Sequence, residues 1–390
     1  MLNRILKREL LDVVQHAFNN KPVITITGPR QSGKTTLCKE AFPNLPYVNF
    51  ELPFEREAAE HDPLGFLKKY PSGVIIDEIQ KLPELVSYIQ AEVDKRGGNS
   101  HFVLTGSEQF KISNTLSQSL AGRTSIFKLL PFSLKELCLN LDLSSASIEY
   151  FIYRGFYPRI YHEEISPTNS LADYFETYIE RDLRSLSQIG DLSLFRRFVR
   201  ACAARIGQVT DFNNIGNEVG VSHTTSRRWL SILEASFIVY LLEPYSRNVS
   251  KRIIKSPKIY FYDVGLATFL LGIHEASQIE AHPLRGLLFE NLIISEVLKN
   301  RYNNGLHSNL YYLRDSSKTE VDLILDYGTE LESIEIKSSK TPNKDFTKGF
   351  GMLENAVKTK IKNRLVIYDG DDEYDGYGAK FFPYKKYLIE

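Results

Sequence analysis

The stretch Gly28-Pro29-Arg30-Gln31-Ser32-Gly33-Lys34-Thr35 has the spacing GxxxxGK[ST] and is followed by Thr36. In this spacing two glycines let backbone N–H groups close around phosphate oxygens, a lysine reaches the β- and γ-phosphates, and a hydroxyl stands ready for Mg²⁺. The flanks decide whether the loop can do this. Val23-Ile24-Thr25-Ile26-Thr27 is β-branched throughout, as a strand buried in a parallel sheet should be, and Thr35 to Phe42 lacks breakers and reads as helical. A chance Gly-rich turn is the competing account; strand before and helix after favour a phosphate loop opening onto a helix N-terminus, where free N–H groups and the helix dipole attract anions.

A second set of acids fits the same chemistry. Ser72-Gly73-Val74-Ile75-Ile76-Asp77-Glu78-Ile79 is an apolar strand ending in two carboxylates. Asp77 is expected to hold Mg²⁺ through water, and Glu78, one residue further, to orient the water that attacks the γ-phosphate. His101 to Ser107 is a third strand ending in small polar residues. In a parallel sheet it brings Ser107 to the edge shared by Asp77 and Glu78, as a γ-phosphate sensor or as an ordinary turn or helix cap. Arg123, after the turn at Gly122, is either an arginine finger from the same or a neighbouring chain or an ordinary exposed arginine.

These residues need a domain to position them, and the chain is long enough for several. Its 390 residues, 43% hydrophobic and 25% charged, suit two or three globular domains. No apolar run approaches membrane-spanning length and the N-terminus soon acquires charge, so a cytoplasmic, non-membrane protein is expected. Cys38, Cys138 and Cys202 have neither disulfide-framework nor zinc-site spacing and read as reduced thiols. The pattern predicts an amphipathic helix from Leu2 to Phe18 and a βα-alternating nucleotide domain over 1–141. A tyrosine-rich helical connector follows over 142–192, where Arg181 or Arg184 can reach nucleotide or form surface pairs.

The formal charge is zero overall but uneven. Between Phe195 and Tyr260 eleven Lys/Arg face four acids, a net of +7. Within 193–280, Phe212–Val219, the turn Gly220-Val221-Ser222 and His223–Leu233 form a helix-turn-helix pattern. Two strand-like runs, Phe237–Leu242 and Lys258–Tyr262, then flank a basic loop with Arg247, Lys251, Arg252 and Lys255. This is the order of a winged helix. Thr224, Thr225, Arg227 and Arg228 would face a major groove and Lys251 and Arg252 would meet phosphates, with Trp229 and Leu233 in the core; a protein-docking module is the alternative.

The remainder, 281–390, carries a second possible chemistry. Glu290 falls on the apolar face of a helix from Leu284 to Lys299, where a carboxylate needs a partner or a cation. A hairpin with Gly328-Thr329 at its tip would pair Tyr327 with Glu330, and so Asp322 with Glu335, on the face to which Lys337 also points. Two opposed carboxylates call for positive charge between them, and Mg²⁺ fits. A solvated hairpin with scattered acids is the plain alternative.

Two resemblances follow. GPRQSGKTT from Gly28, GVIIDEIQ from Gly73, FVLTGS from Phe102, SLAGR ending at Arg123, LPFSLKEL from Leu130 and KSPKIYFYDVGL from Lys255 resemble prokaryotic AAA+-like P-loop ATPases with a nuclease-like C-terminal region. This implies ATP and Mg²⁺ as ligands, Lys34, Thr35, Asp77 and Glu78 as ATPase residues, Ser107 as sensor and Arg123 as finger. Asp322, Glu335-Ile336-Lys337 resembles the PD-(D/E)xK nuclease signature, departing from it at Val321, where the signature has proline. It implies Asp322 and Glu335 as metal ligands, Glu290 as their support, and Lys337 beside nucleophile or phosphate. The fold expected is α/β: a parallel P-loop sheet, a winged helix-turn-helix and a restriction-endonuclease-like domain. The function expected is an ATPase whose nucleotide state controls a DNA-binding, nuclease-like part, with an ATP-regulated metal-dependent endonuclease and a nucleotide-gated scaffold for protein partners as alternatives and oligomerisation open.

Overall fold

The computed structural model describes residues 5–107, 120–143, 145–163, 165–179, 191–246 and 254–389, with side chains to 177 in the fourth span. The first sheet contains β1 (Val23–Thr27), β2 (Tyr47–Asn49), β3 (Val74–Asp77), β4 (Phe102–Gly106) and β5 (Thr124–Lys128) in the order β2-β3-β4-β1-β5, every neighbour pair parallel. β1, β3 and β4 are fully buried, as strands covered on both faces must be. Val74 and Ile76 pack to one side with the Leu85–Arg96 helix, while Ile75 packs to the other with the Leu10–Asn20 and Lys34–Ala41 helices. Because β4 lies between β1 and β3, its end sits between the phosphate loop and Asp77.

Among the described residues the first helix runs Leu10–Asn20, so Ile5 to Arg8 are not helical as the pattern predicted, while Leu2 lies outside the described residues. Lys7 is tied to Asn140 instead: its N–H donates to Asn140 Oδ1 at 2.9 Å and its carbonyl accepts from Asn140 Nδ2 at 3.0 Å, which removes the groups an earlier helix would use.

Beyond β5 a capping box at Ser133 starts the Leu134–Asn140 helix. Short helices at Ile148–Arg154, Pro158–His162 and Pro167–Tyr174 follow, then Leu192–Ala203, Phe212–Val219 and His223–Ala235. Strands β6 (Val239–Leu242) and β7 (Lys258–Phe261) pair antiparallel. Two helices thus stand on either side of Gly220-Val221-Ser222, where the sequence pattern placed them. Arg247, Lys251 and Arg252 lie outside the described residues, as do Arg181 and Arg184.

After the Arg285–Asn303 helix comes a mixed sheet of β8 (Leu310–Arg314), β9 (Glu320–Asp326), β10 (Glu330–Lys337), β11 (Lys360–Tyr368), β12 (Tyr374–Gly376) and β13 (Ala379–Pro383), ordered β12-β13-β11-β10-β9-β8. The hairpin register sets Leu331 opposite Asp326 and Ile334 opposite Leu323, the register expected from the sequence, and continued one step it brings Glu335 to Asp322. Beside the clusters flanking the first sheet, one continuous apolar cluster runs from Leu130 and Phe132 through Phe195, Trp229 and Tyr260 to Leu292, Ile334 and Tyr384. No helix among the described residues is long and apolar enough to cross a membrane.

Candidate functional site

The loop after β1 folds as its glycines require. A Cβ on Gly28 would stand 2.1 Å from the Leu129 carbonyl oxygen, so no side chain fits where the loop leaves the sheet. Gly33, at φ +93°, occupies the left-handed N-cap of the Lys34–Ala41 helix. Lys34 Nζ folds back into the loop, donating to the carbonyls of Gly28 at 3.0 Å and Pro29 at 2.8 Å. Burial pulls its pKa below the usual lysine range, against the opposing pull of Glu78 and Asp77. Ser32 Oγ is buried without a hydrogen-bond partner among the described residues.

Asp77, at the end of β3, gathers hydroxyls. Its Oδ2 accepts from Thr35 Oγ1 at 2.7 Å and Tyr47 OH at 2.6 Å, and its Oδ1 accepts from Thr105 Oγ1. Glu78 is in the left-handed region (φ 59°, ψ 47°), a conformation that costs a non-glycine residue about 1–3 kcal/mol and collects at functional sites. Its N–H donates to Thr105 Oγ1 at 3.3 Å, and its Oε2 accepts from Ser107 Oγ at 3.2 Å and from Gln80 Nε2. Gln80 Nε2 also reaches Ser107 Oγ at 3.2 Å.

The residues present fit Mg·ATP. A Thr35 hydroxyl and an Asp77 carboxylate 2.7 Å apart offer oxygen donors suited to a hard cation, and the unpartnered Ser32 hydroxyl lies in the loop that would face phosphates. The cavity in front, about 590 Å³, is lined by Arg30, Gln31, Gly33, Lys34, Thr35, Thr36 and Glu78 on one wall. The facing wall is the Pro158–His162 helix with Arg159 and His162, Arg159 pairing with Glu163 at 2.9 Å.

Arg123 is not brought to this cavity. It precedes β5, and its carbonyl accepts from the Val23 N–H at the start of β1, the sheet edge opposite the loop and about 16 Å away for a five-residue strand. Its guanidinium pairs with Asp94 through bonds of 2.6 and 3.0 Å. In this arrangement the Arg123 side chain does not face the phosphate loop of its own chain.

Two further groups stand apart. On the His223–Ala235 helix, Thr224, Arg227 and Arg228 are exposed and Thr225 half-buried, with Trp229 and Leu233 in the core. The net charge of +7 does not all reach the surface there: Lys258 is buried, and Arg205 pairs with Glu218. In the mixed sheet, Lys337 Nζ lies between Asp322 Oδ2 (2.8 Å) and Glu335 Oε2 (2.7 Å), holding the position the sequence reading gave to Mg²⁺. Burial pushes Asp322 up, but Lys337 and Lys258 outweigh it and leave it below the usual carboxylate range, whereas burial and Asp322 push Glu335 well above. Among the described residues, the acids that can share a cation are Glu290, Glu320 and Asp322, whose ligand atoms lie within 4.8 Å of one another; Glu335 is not in that group.

Residues 20–138 match the AAA domain family. Residues 145–277 and 285–387 match two domains of unknown function, DUF8612 and DUF4143. The uncharacterized protein Rv2008c of Mycobacterium tuberculosis is 28% identical over 370 residues, 94% of this chain and 81% of its own. An uncharacterized protein of Haemophilus influenzae is 26% identical over 309 residues, 71% of this chain and 74% of its own. Among solved structures, the Walker-type ATPase PABY2304 of Pyrococcus abyssi is 16% identical with a TM-score of 0.48, covering 68% of this chain and 96% of that one.

Three contributors to the phosphate-loop site were not found by spacing. Thr105 and Tyr47 are hidden inside strands, and only the strand order brings them to Asp77. Arg8, 4% exposed, lies behind the loop, its Nη1 donating to the Ser32 carbonyl at 2.9 Å, its Nη2 to Leu130 O at 2.7 Å and its Nε to Glu136 Oε1 at 3.0 Å. Nothing in the sequence separates it from the other charged residues around it.

Proposed function

We propose that this chain is a Mg-dependent ATPase whose nucleotide state is passed to a nucleic-acid-binding winged helix and a nuclease-like C-terminal part. The observation that carries the reading is the meeting of Thr35 and Asp77 at 2.7 Å in front of a glycine-lined loop, with Glu78 one residue beyond. Bound Mg²⁺ supplies charge neutralisation on the triphosphate. The chain's own groups do the rest. Backbone N–H groups at the start of the Lys34–Ala41 helix receive phosphate oxygens, and Lys34 exchanges the Gly28 and Pro29 carbonyls for them. Glu78 then leaves Ser107 and Gln80 to orient a water and take its proton.

A route from loop to C-terminal part supports the coupling. Arg8 joins the Ser32 carbonyl to Glu136, and Glu136 closes the capping box at Ser133. The next N–H, that of Leu134, donates to Glu296 Oε2 at 2.6 Å, on the same helix as Glu290.

Nucleic acid is the favoured target because the exposed face of the His223–Ala235 helix carries Arg227 and Arg228. The test is double-stranded DNA affinity over a salt series together with ATP turnover with and without DNA. Wild type should bind with strong salt dependence and turn over ATP faster with DNA. Arg227→Ala/Arg228→Ala should weaken binding by about 1–3 kcal/mol for each base contact removed and lose the stimulation. Affinity indifferent to ionic strength would remove DNA and leave the protein-partner scaffold.

A further inference from the structure

Lys258 is the feature that the ATPase reading does not use. It stands on β7, beside the helix-turn-helix, yet its side chain enters the carboxylate cluster of the mixed sheet and is 2% exposed. Its Nζ donates to Glu290 Oε1 at 3.0 Å, to Glu320 Oε1 and to Tyr260 OH at 3.3 Å, which uses all three N–H donors of an ammonium. Tyr260 OH donates to the same Glu290 oxygen. Glu290 and Glu320 are two of the three acids able to share a cation, so lysine and metal ion would compete for the same oxygens.

The charge count points the same way. Glu290, Glu320, Asp322 and Glu335 are four carboxylates, and the cations paired with them, Lys258, Lys337 and the Arg314 guanidinium 3.5 Å from Glu320 Oε2, are three. Glu335 also keeps a buried Oε1 without a hydrogen-bond partner among the described residues. With every carboxylate ionised the cluster carries one negative charge in excess, and two once Lys258 has left, the charge that one divalent cation would meet. Lys258, however, belongs to another sheet, so a movement of β7 would carry it out.

We propose that Lys258 is a tethered counter-cation that occupies the carboxylate cluster, so that a divalent cation binds Glu290, Glu320 and Asp322 only when β7 withdraws the lysine. The device links the helix-turn-helix region to the metal-binding competence of the mixed sheet. It does not depend on the ATPase reading, since a chain that never hydrolysed ATP would still show it.

The experiment is Mn²⁺ binding to the full chain without nucleotide, followed by electron paramagnetic resonance. Every sample carries Asp77→Asn, so that the cation site in front of the phosphate loop does not count. Lys258→Met should create a site at least about tenfold tighter than any in the parent, because one positive charge leaves the cluster. Adding Glu320→Gln should remove the gain, and Lys258→Arg should behave like the parent. If Lys258→Met is unstable alone, Mn²⁺ should raise its melting temperature and leave that of the parent unchanged. Equal or weaker Mn²⁺ affinity in a folded Lys258→Met, or an unstable one that Mn²⁺ does not rescue, would overturn the proposal.

Discussion

Glu78→Gln is expected to leave Mg·ATP affinity within about twofold of wild type while slowing turnover by about 10²–10⁴-fold, the usual worth of a positioned general base. The substitution keeps the shape of the side chain and most of its contacts with Ser107 and Gln80, so the left-handed backbone at this position is retained. Only the carboxylate that would accept a proton is lost. Asp77, Thr35 and Lys34 are untouched, so binding should persist and the variant should hold ATP unhydrolysed. The check is equilibrium binding alongside single-turnover hydrolysis; unchanged turnover would take the base role away from Glu78.

Arg8→Met should be the most damaging change to a residue that does not line the nucleotide cavity. Glu136 Oε1 accepts from Arg8 Nε and from the Glu9 N–H, its Oε2 accepts from the Ser133 N–H, and the pair is almost fully buried. Removing the arginine leaves a buried carboxylate without its cation, and breaking such a pair costs about 3–5 kcal/mol. The Ser32 and Leu130 carbonyls lose donors as well. Denaturant unfolding of Arg8→Met should show this loss, and Arg8→Met/Glu136→Gln should recover part of it because the unpaired charge is gone. A single variant within about 0.5 kcal/mol of wild type, the range of ordinary surface substitutions, would mean that Arg8 does not hold the loop.

Local patterns carried much of this architecture. The β-branched run Val23–Thr27 could only be a strand covered on both sides, and the order strand, glycine loop, helix follows from residues within one stretch. The hairpin register was legible because a two-residue tip fixes every pair behind it, down to Leu323 opposite Ile334. What escaped depends on contacts distant in sequence. Arg123 lies far from the loop because β5 runs parallel to β1, so a residue before β5 and a loop after β1 fall on opposite edges. Lys258 read as one more charge in a basic region, whereas its partners Glu290 and Glu320 lie 32 and 62 residues later. Glu320 had no motif to mark it, being one strand residue among alternating neighbours, and Lys337 took the place that charge reasoning gave to a metal.

The central claim is that ATP is held by the loop Gly28–Thr35, and equilibrium binding of a fluorescent ATP analogue with Mg²⁺ to wild type and Lys34→Ala tests it most directly. Wild type should bind saturably, and Lys34→Ala should bind at least about tenfold more weakly, as expected when a charge-assisted phosphate contact of about 1.5–3 kcal/mol is removed. Equal affinity of the two proteins would contradict the account, because the nucleotide would then rest elsewhere on the molecule.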